Sequence, residues 1–354
     1  MKTENQEFEI GIYTLGDYVE NAQTGNKVSE QERIEEIIAY AKKADEVGLD
    51  VFALGESHQE HFVSQAHTVI LGAIARETKN IRISSSASII STSDPVRVYE
   101  DFSTVDLLSN GRAEIIAGRA SRVGLFELLG YDLKDYEELF EEKFELLKLL
   151  NEEKVVNWQG DFRKPLHNAV LYPKPKNGSI PLWRAVGGPA ASAMKAGAQG
   201  VPMMLATLGG PAELFNESIE AFRSYADHYG HGDLPVGVTA LFHVAKDDIS
   251  ALREFYPNVD LAFRRANGSG FSKALFSQQT DKRAVMLIGS VDNIVEKILY
   301  QYDMYKHDRL LLQLDVGGME LDVVLEQIEI IGKEIAPRVK AAIKERQNDK
   351  NSSN

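Results

Sequence analysis

The segment 81–121 reads as a strand, a helix and a second strand, and each strand ends in small polar residues. A run of β-branched residues is typical of a parallel strand buried on both faces, and the apolar residues of the first strand are Ile81, Ile83, Ile89 and Ile90. Asp94 can cap the helix, Pro95 suits its first turn, and Ser-Asn-Gly at 109–111 ends it. The segment is predicted to form one βαβ unit, whose serines leave room for a flat ligand.

The same alternation of strand and helix patterns continues along most of the chain. Strands are predicted at 8–14, 49–55, 81–90, 112–117, 181–186, 201–206, 236–244 and 309–315. Helices are predicted from Pro95 and at 29–47, 67–78, 136–152, 190–198, 211–229, 291–305 and 321–344. About eight strands are what a (β/α)8 barrel requires, so the predicted fold class is α/β, a TIM barrel with insertions.

Two segments break this alternation. The segment 155–180 is rich in proline and glycine and predicts an insertion of short strands and turns. The segment 247–286 is less regular, contains Gly-Ser-Gly, and predicts a second insertion that forms a mobile flap. We therefore expect one barrel domain over 1–345 and a disordered tail over 346–354.

Charge and composition restrict the partners of this chain. A formal net charge of −14 argues against a nucleic acid or an anionic membrane surface as partner, because both require a positive surface. The chain has no cysteine, which excludes disulfides and thiolate catalysis and permits a reducing compartment. No apolar run reaches the length of a membrane span, and the polar start lacks a signal-peptide core. We expect a cytoplasmic protein.

Chemically capable residues follow the predicted strands, where barrel enzymes place their active sites. Glu56, Ser57, His58 and His61 follow the second strand, so a carboxylate and two imidazoles can serve there as acid, base or metal ligands. No regular ligand spacing supports a metal site, and no bound metal is expected. The alternative is that Glu56 and His58 only pair with neighbouring barrel residues.

Two further loops suit an anion. Gly118-Arg119-Ala120-Ser121 follows the fourth strand and combines a guanidinium, a hydroxyl and small neighbours. Gly187-Gly188-Pro189 follows the fifth strand and opens a helix with unpaired N–H groups, with Ser192 in its first turn. Together they predict one phosphorylated ligand. The alternatives are a structural salt bridge for Arg119 and an ordinary strand-to-helix turn at 187–189. Neither a GxGxxG sequence after the first strand nor a P-loop is present.

These segments together resemble the bacterial luciferase-like, flavin-dependent monooxygenases. The matching pieces, in chain order, are GESHQEHF, SSSASIISTSDPVRVYED, DLLSNGRAEIIAGRAS, LGYDLKDYEELFEEK, PLWRAVGG, LIGS and DRLLLQLDVGG. The resemblance covers most of the chain. It implies a TIM barrel with insertions that uses reduced flavin mononucleotide (FMN) or, in a sister branch, the deazaflavin F420, and that often forms homodimers.

The resemblance also implies roles for particular residues. The flavin phosphate is expected to contact Arg119, Ser121, Gly187, Gly188 and Ser192. A non-proline cis peptide is expected at Ser86-Ala87, under the flavin ring. Glu56 and His58 are expected to orient groups or transfer protons beside the flavin.

Ser57 departs from the pattern of these relatives, which commonly carry Glu-His-His where this chain has Glu56-Ser57-His58. The missing histidine assists the reaction of the flavin with oxygen in luciferase-like members, and serine is not a base near neutral pH without help. A smaller departure is Ala120, where relatives often have glycine. The cofactor site is therefore expected to be preserved, while the catalytic step is less constrained.

Three functions remain open at this point. The first is an FMN-dependent monooxygenase that oxygenates a small organic substrate, with reduced FMN supplied by a separate flavin reductase. The second is an F420-dependent oxidoreductase that transfers hydride without oxygen. The third is a flavin-binding protein with impaired catalysis. The sequence does not name the substrate; candidate pocket aromatics are Tyr13, Phe62, Trp183, Phe255, Tyr256, Phe263, Phe271 and Phe276.

Overall fold

The structure is a computed structural model that describes residues 7–120 and 122–352. Its strands are β1 (Glu9–Thr14), β2 (Val51–Leu54), β3 (Arg82–Ser85), β4 (Ser88–Ile89), β5 (Ala113–Gly118), β6 (Val156–Trp158), β7 (Leu166–Ala169), β8 (Leu182–Val186), β9 (Met203–Thr207), β10 (Val236–Val244), β11 (Leu287–Gly289) and β12 (Arg309–Gln313). Its α-helices are α1 (Glu30–Glu46), α2 (His67–Glu77), α3 (Pro95–Leu108), α4 (Leu125–Leu128), α5 (Tyr136–Glu152), α6 (Ala190–Ala198), α7 (Glu213–His228), α8 (Asp248–Asn267), α9 (Lys273–Phe276), α10 (Val291–Tyr305), α11 (Leu321–Ile330) and α12 (Ala336–Ser352).

Eight parallel strands form a closed barrel. Strands β1, β2, β3, β5, β8, β9, β10 and β12 are hydrogen-bonded in that order, and β12 returns to pair with β1. Strand β4 continues beside β5 after a short break, and β11 extends the sheet beside the end of β10. The predicted TIM barrel is confirmed, because the eight parallel strands close into a ring and the helices between them pack around it.

Buried charges close the barrel at the amino-terminal ends of its strands. Arg309, the first residue of β12, donates to a carboxylate oxygen of Glu114 at 3.1 Å and to Glu9 at 2.6 Å. Its guanidinium also lies 4.4 Å from the ring centre of Trp183. Above this layer, the interior is filled by Tyr13, Val51, Ala53, Ile116, Trp183, Met204 and Leu311. A ligand can therefore enter only from the opposite, carboxyl-terminal end.

Local sequence signals place the outer helices. Ser29 and Glu32 form a reciprocal capping box at the start of α1, and Asp94 accepts from the Val96 N–H at 2.8 Å at the start of α3. The inward faces of these helices pack on the strands in one continuous hydrophobic core. Within the expected insertion at 155–180, β6 and β7 form an antiparallel hairpin.

The second expected insertion is more ordered than predicted. Residues 247–286 were expected to be an irregular flap, but α8 is a twenty-residue helix that starts at the capping residue Asp247 and buries Phe255 and Val259. Pro257 lies inside this helix, which is the reason the sequence pattern hides it. The helix packs across the open end of the barrel, so it forms part of the wall of the cavity described below.

The end of the chain is also more ordered than expected. Helix α12 continues through Ser352, so a disordered tail from 346 is wrong for 346–352. Arg346 donates to the Leu299 carbonyl at 3.2 Å, and Gln347 donates to the Tyr302 hydroxyl at 3.2 Å. These contacts hold the first part of the expected tail against α10, and 353–354 lie outside the described residues. In the described part of the chain, the length and apolarity that a membrane crossing needs are combined in no helix.

Candidate active site

A cavity of about 440 Å³ opens at the carboxyl-terminal ends of the barrel strands. This volume is within the usual range for small-molecule and cofactor sites. Its floor and walls come from the strand ends, among them Tyr13, Ile116, Met204, Thr239 and Gln313. Residues of α8, including Ala262 and Phe263, line it from outside. The cavity is therefore where the barrel fold predicts chemistry.

The peptide between Ser86 and Ala87 is cis, as expected, and both residues line the cavity. It lies between the end of β3 and the start of β4. Two glycines make room for this segment: a Cβ at Gly55 would lie 2.5 Å from the Ser86 carbonyl oxygen, and a Cβ at Gly118 would lie 2.8 Å from the Ala87 Cβ. A flat surface of backbone and small side chains therefore forms this wall.

Arg119 and the turn after β8 lie together on another side of the cavity. The Arg119 guanidinium binds the Glu137 carboxylate and lies 3.4 Å from the Ser192 hydroxyl oxygen. Arg119 and Gly187 line the cavity, and no atom lies within 4 Å of a Cβ built on Gly187 or Gly188. The described residues place Gly188 and Ser192 just behind this lining.

Ser121 was expected to contact the same ligand and lies outside the described residues. The remaining groups, a guanidinium, a hydroxyl, an open glycine turn and the start of α6, are those that bind phosphate in proteins. The space over the glycines leaves room for such an anion.

Glu56, Ser57 and His58 are not among the described residues that line the cavity. One carboxylate oxygen of Glu56 is hydrogen-bonded to His58 Nε2 at 2.7 Å, and the other accepts from the Ile89 N–H at 2.7 Å. The Glu56 N–H also donates to the Ala87 carbonyl at 3.0 Å. This geometry is that of the neighbour-pairing alternative, in which Glu56 and His58 hold the segment behind the cis peptide. Their expected catalytic role stays a prediction.

Three of the eight aromatic residues predicted for the pocket line the cavity: Tyr13, Phe62 and Phe263. Trp183 instead lies under Arg309 in the closed end of the barrel. Burial raises the pKa of the Tyr13 hydroxyl, so this side chain remains neutral and can only exchange hydrogen bonds.

Four further charged or titratable residues line the cavity, and the sequence pointed only to His61 among them. They are Asp17, His61, Arg122 and Arg265. His61 belongs to the loop after β2. Arg122 belongs to the loop after β5, three residues beyond Arg119. Arg265 lies on α8, whose helical pattern is interrupted by Pro257, so no sequence signal places it here. Among the residues that the structure describes, no group of histidine, aspartate and glutamate is arranged to hold a metal ion.

The pKa values of two of these groups are displaced. Burial and the neighbouring Asp315 raise the pKa of Asp17 to about 6, against the opposing charges of Arg33 and Arg122. Partial burial and the charges of Arg122 and Arg265 lower the pKa of His61. Near neutral pH the site therefore presents a neutral imidazole beside two guanidinium groups.

Fold and cavity together define a (β/α)8-barrel enzyme with its ligand site at the carboxyl ends of the strands. The family model described as luciferase-like monooxygenase matches residues 12–303, and the chain belongs to that family. This family includes flavin monooxygenases and F420-dependent oxidoreductases.

Individual relatives differ in cofactor and substrate. The chain is 28% identical to the N-acetyl-S-alkylcysteine monooxygenase of Bacillus subtilis over 60% of each chain. It is 29% identical to the F420-dependent glucose-6-phosphate dehydrogenase of Amycolatopsis mediterranei, over 44% of this chain and 48% of that one. A solved structure, the oxygenating constituent of 3,6-diketocamphane monooxygenase of Pseudomonas putida in complex with FMN, superposes with a TM-score of 0.74 at 17% identity, over 94% of this chain and 99% of that one. This last likeness shows the shared fold.

Proposed function

We propose that this protein is a monooxygenase that uses reduced FMN and O2 to oxygenate a small organic substrate. The observation that carries the proposal is the grouping of Arg119, Ser192 and the Gly187 turn at one side of a cavity whose wall contains the cis peptide Ser86-Ala87. A phosphate site and a flat wall in one cavity fit the two ends of a flavin mononucleotide.

The residues present fit this cofactor in chemistry and in space. Arg119 is mostly buried, so its charge would be weakly screened when it meets a phosphate. The open glycine turn adds backbone N–H donors at the start of α6 without a side chain in the way. The Gly55 and Gly118 positions keep the opposite wall free of projecting side chains.

The residues around the cavity have different roles in this proposal. Arg119, Ser192 and the Gly187 turn bind the phosphate, while Glu56 fixes the cis segment through its bonds to Ile89 and Ala87. When bound, reduced FMN would supply the two electrons that reduce O2, so that one oxygen atom enters the substrate and the other leaves as water. The apolar lining, including Leu241 and Phe263, excludes bulk water.

We further propose that reduced FMN comes from a separate flavin reductase that binds transiently and that the protein is a homodimer. The first proposal is supported by the absence of a GxGxxG sequence for a nicotinamide cofactor and by a relative, the trigonelline monooxygenase of Acinetobacter baylyi, that is named as an oxygenase component. Light scattering of the purified protein tests the second, and a monomer mass at micromolar concentration would contradict it.

The cofactor assignment is tested by anaerobic titration of the purified protein with reduced FMN and, separately, with reduced F420. Binding of FMN, followed by oxygen incorporation from ¹⁸O2 into a screened substrate, is the expected result. Binding of F420 alone would make the protein an F420-dependent oxidoreductase. Tight binding of FMN with hydrogen peroxide as the sole product across the screen would favour a flavin-binding protein with impaired catalysis.

A further inference from the structure

The charge of the cavity is opposite to the charge of the chain. The chain carries 53 acidic and 39 basic residues. Among the described residues that line the cavity, however, the charged side chains are three arginines and one aspartate, namely Arg119, Arg122, Arg265 and Asp17. An acidic protein that places arginines in the apolar-lined cavity at its strand ends has a site suited to a negatively charged ligand.

Arg119 has hydrogen-bonding partners among the described residues, whereas the guanidinium groups of Arg122 and Arg265 have none there. Arg119 binds Glu137 and approaches Ser192. The guanidinium groups of Arg122 and Arg265 make no hydrogen bond or ion pair with residues 7–120 or 122–352. Arg122 is half-buried over the Phe62 ring, 4.7 Å from its centre. The charge of Asp17 acts on its guanidinium through space. A half-buried guanidinium without a carboxylate partner is available for an anion that enters the cavity.

The two arginines lie near the same imidazole, since the charges of both act on His61. Arg122 approaches from the loop after β5, and Arg265 approaches from α8. Two aromatic residues of the lining adjoin them: Phe62 lies under the Arg122 guanidinium, and Phe263 precedes Arg265 by two residues on α8. If the anionic group of a ligand is bound here, the apolar part of that ligand therefore lies along the cavity toward the barrel axis.

We propose that Arg122 and Arg265 form an anion subsite that selects substrates carrying a carboxylate, or a similar single anionic group, on an apolar body. This inference rests on the proposed function, in which Arg119 serves the cofactor phosphate and leaves these two arginines for the substrate. The alternative source of an anion is the charged tail of a deazaflavin cofactor, which the test below separates.

The test uses octanoate and 1-octanol, which share an alkyl chain and differ in the charge of the head group. Isothermal titration of the full-length protein measures both without flavin or oxygen, so its outcome is independent of the cofactor assignment. We expect octanoate to bind roughly tenfold more tightly than octanol, the effect of one charge-assisted contact. The double variant Arg122→Gln/Arg265→Gln should bind the two probes equally.

Three variants control this result. Arg119→Gln should keep the preference for octanoate, because Arg119 belongs to the other side of the cavity. Arg97→Gln removes an exposed arginine of α3 and should also keep it. Arg122→Lys retains the charge with a different shape and should keep part of the preference, which preserves the test if the glutamine variant folds poorly.

Three outcomes would overturn the inference. The first is equal or undetectable binding of both probes to the wild-type protein. The second is loss of the preference in Arg119→Gln alone, which would assign the anion to the phosphate site. The third is a double variant that keeps the octanoate preference but loses affinity for FMN or F420, which would assign the two arginines to the cofactor.

Discussion

Arg119 provides the sharpest test of the proposed phosphate site. The change is Arg119→Gln, which removes the charge and keeps a polar side chain of similar reach. Only about a fifth of the Arg119 side chain is exposed, with 19% relative accessibility, so its contact with a phosphate is poorly screened by water. A hydrogen bond to a charged group contributes about 1.5–3 kcal/mol, which corresponds to a loss of roughly 10–150-fold in FMN affinity.

Riboflavin separates this effect from general damage to the site, because it has the same ring system and lacks the phosphate. We expect its affinity to change less than about threefold in Arg119→Gln, because contacts to the ring and contacts to the phosphate contribute to binding nearly independently. Flavin fluorescence quenching measures both ligands under the same conditions. Arg97→Gln, on the exposed face of α3, is the matched control and should bind both ligands like the wild type.

Glu137 supplies a second arm of the same experiment. Its carboxylate binds Arg119 and is half exposed, at 52% relative accessibility, so it competes with a phosphate for the guanidinium. A partly exposed ion pair of this kind contributes about 0–1 kcal/mol, and Glu137→Gln should therefore raise FMN affinity by no more than roughly fivefold. If Arg119→Gln weakened FMN and riboflavin equally, or neither, the assignment of Arg119 to the phosphate would be refuted.

Three further outcomes are expected. Glu114→Gln removes one of the carboxylates that neutralise a buried arginine at the closed end of the barrel, and should cost about 3 kcal/mol in denaturant unfolding; an unchanged midpoint would contradict this. Gly118→Val should weaken FMN binding, because its Cβ alone would lie 2.8 Å from that of Ala87 and push the cis segment into the cavity. Octanoate affinity should fall as the pH rises through about 6, where Asp17 gains its negative charge beside the anion subsite. Asp17→Asn should reduce this dependence and leave the part that comes from protonation of His61 at lower pH.

The barrel itself is readable in the sequence, because the strands and helices obey local rules. Helices Tyr136–Glu152 and Val291–Tyr305 and strand Val236–Val244 have the bounds that their hydrophobic patterns predict. A barrel strand is buried on both faces and a barrel helix on one, so their patterns differ strongly. Helix α8 is not predicted by these patterns, because Pro257 lies in its interior and proline normally ends a helix.

The site is readable only in part, because the sequence gives the loop on which a residue lies but not the direction of its side chain. Arg119 and Gly187 follow strands and do line the cavity. Glu56 and His58 satisfy the same rule, yet their side chains bind each other and the backbone behind the cis peptide. That choice depends on the Ile89 N–H, which becomes available only once β3 and β4 are in place.

The loop after β5 connects the two halves of the proposed chemistry. Arg119 faces α5 and α6 through Glu137 and Ser192, while Arg122, three residues later, faces the loops after β1 and β2 through Asp17 and Phe62. One short segment therefore supplies a cation to the proposed phosphate site and another to the proposed substrate anion. Because the two guanidinium groups have separate partners, their contributions to binding should add when both are removed.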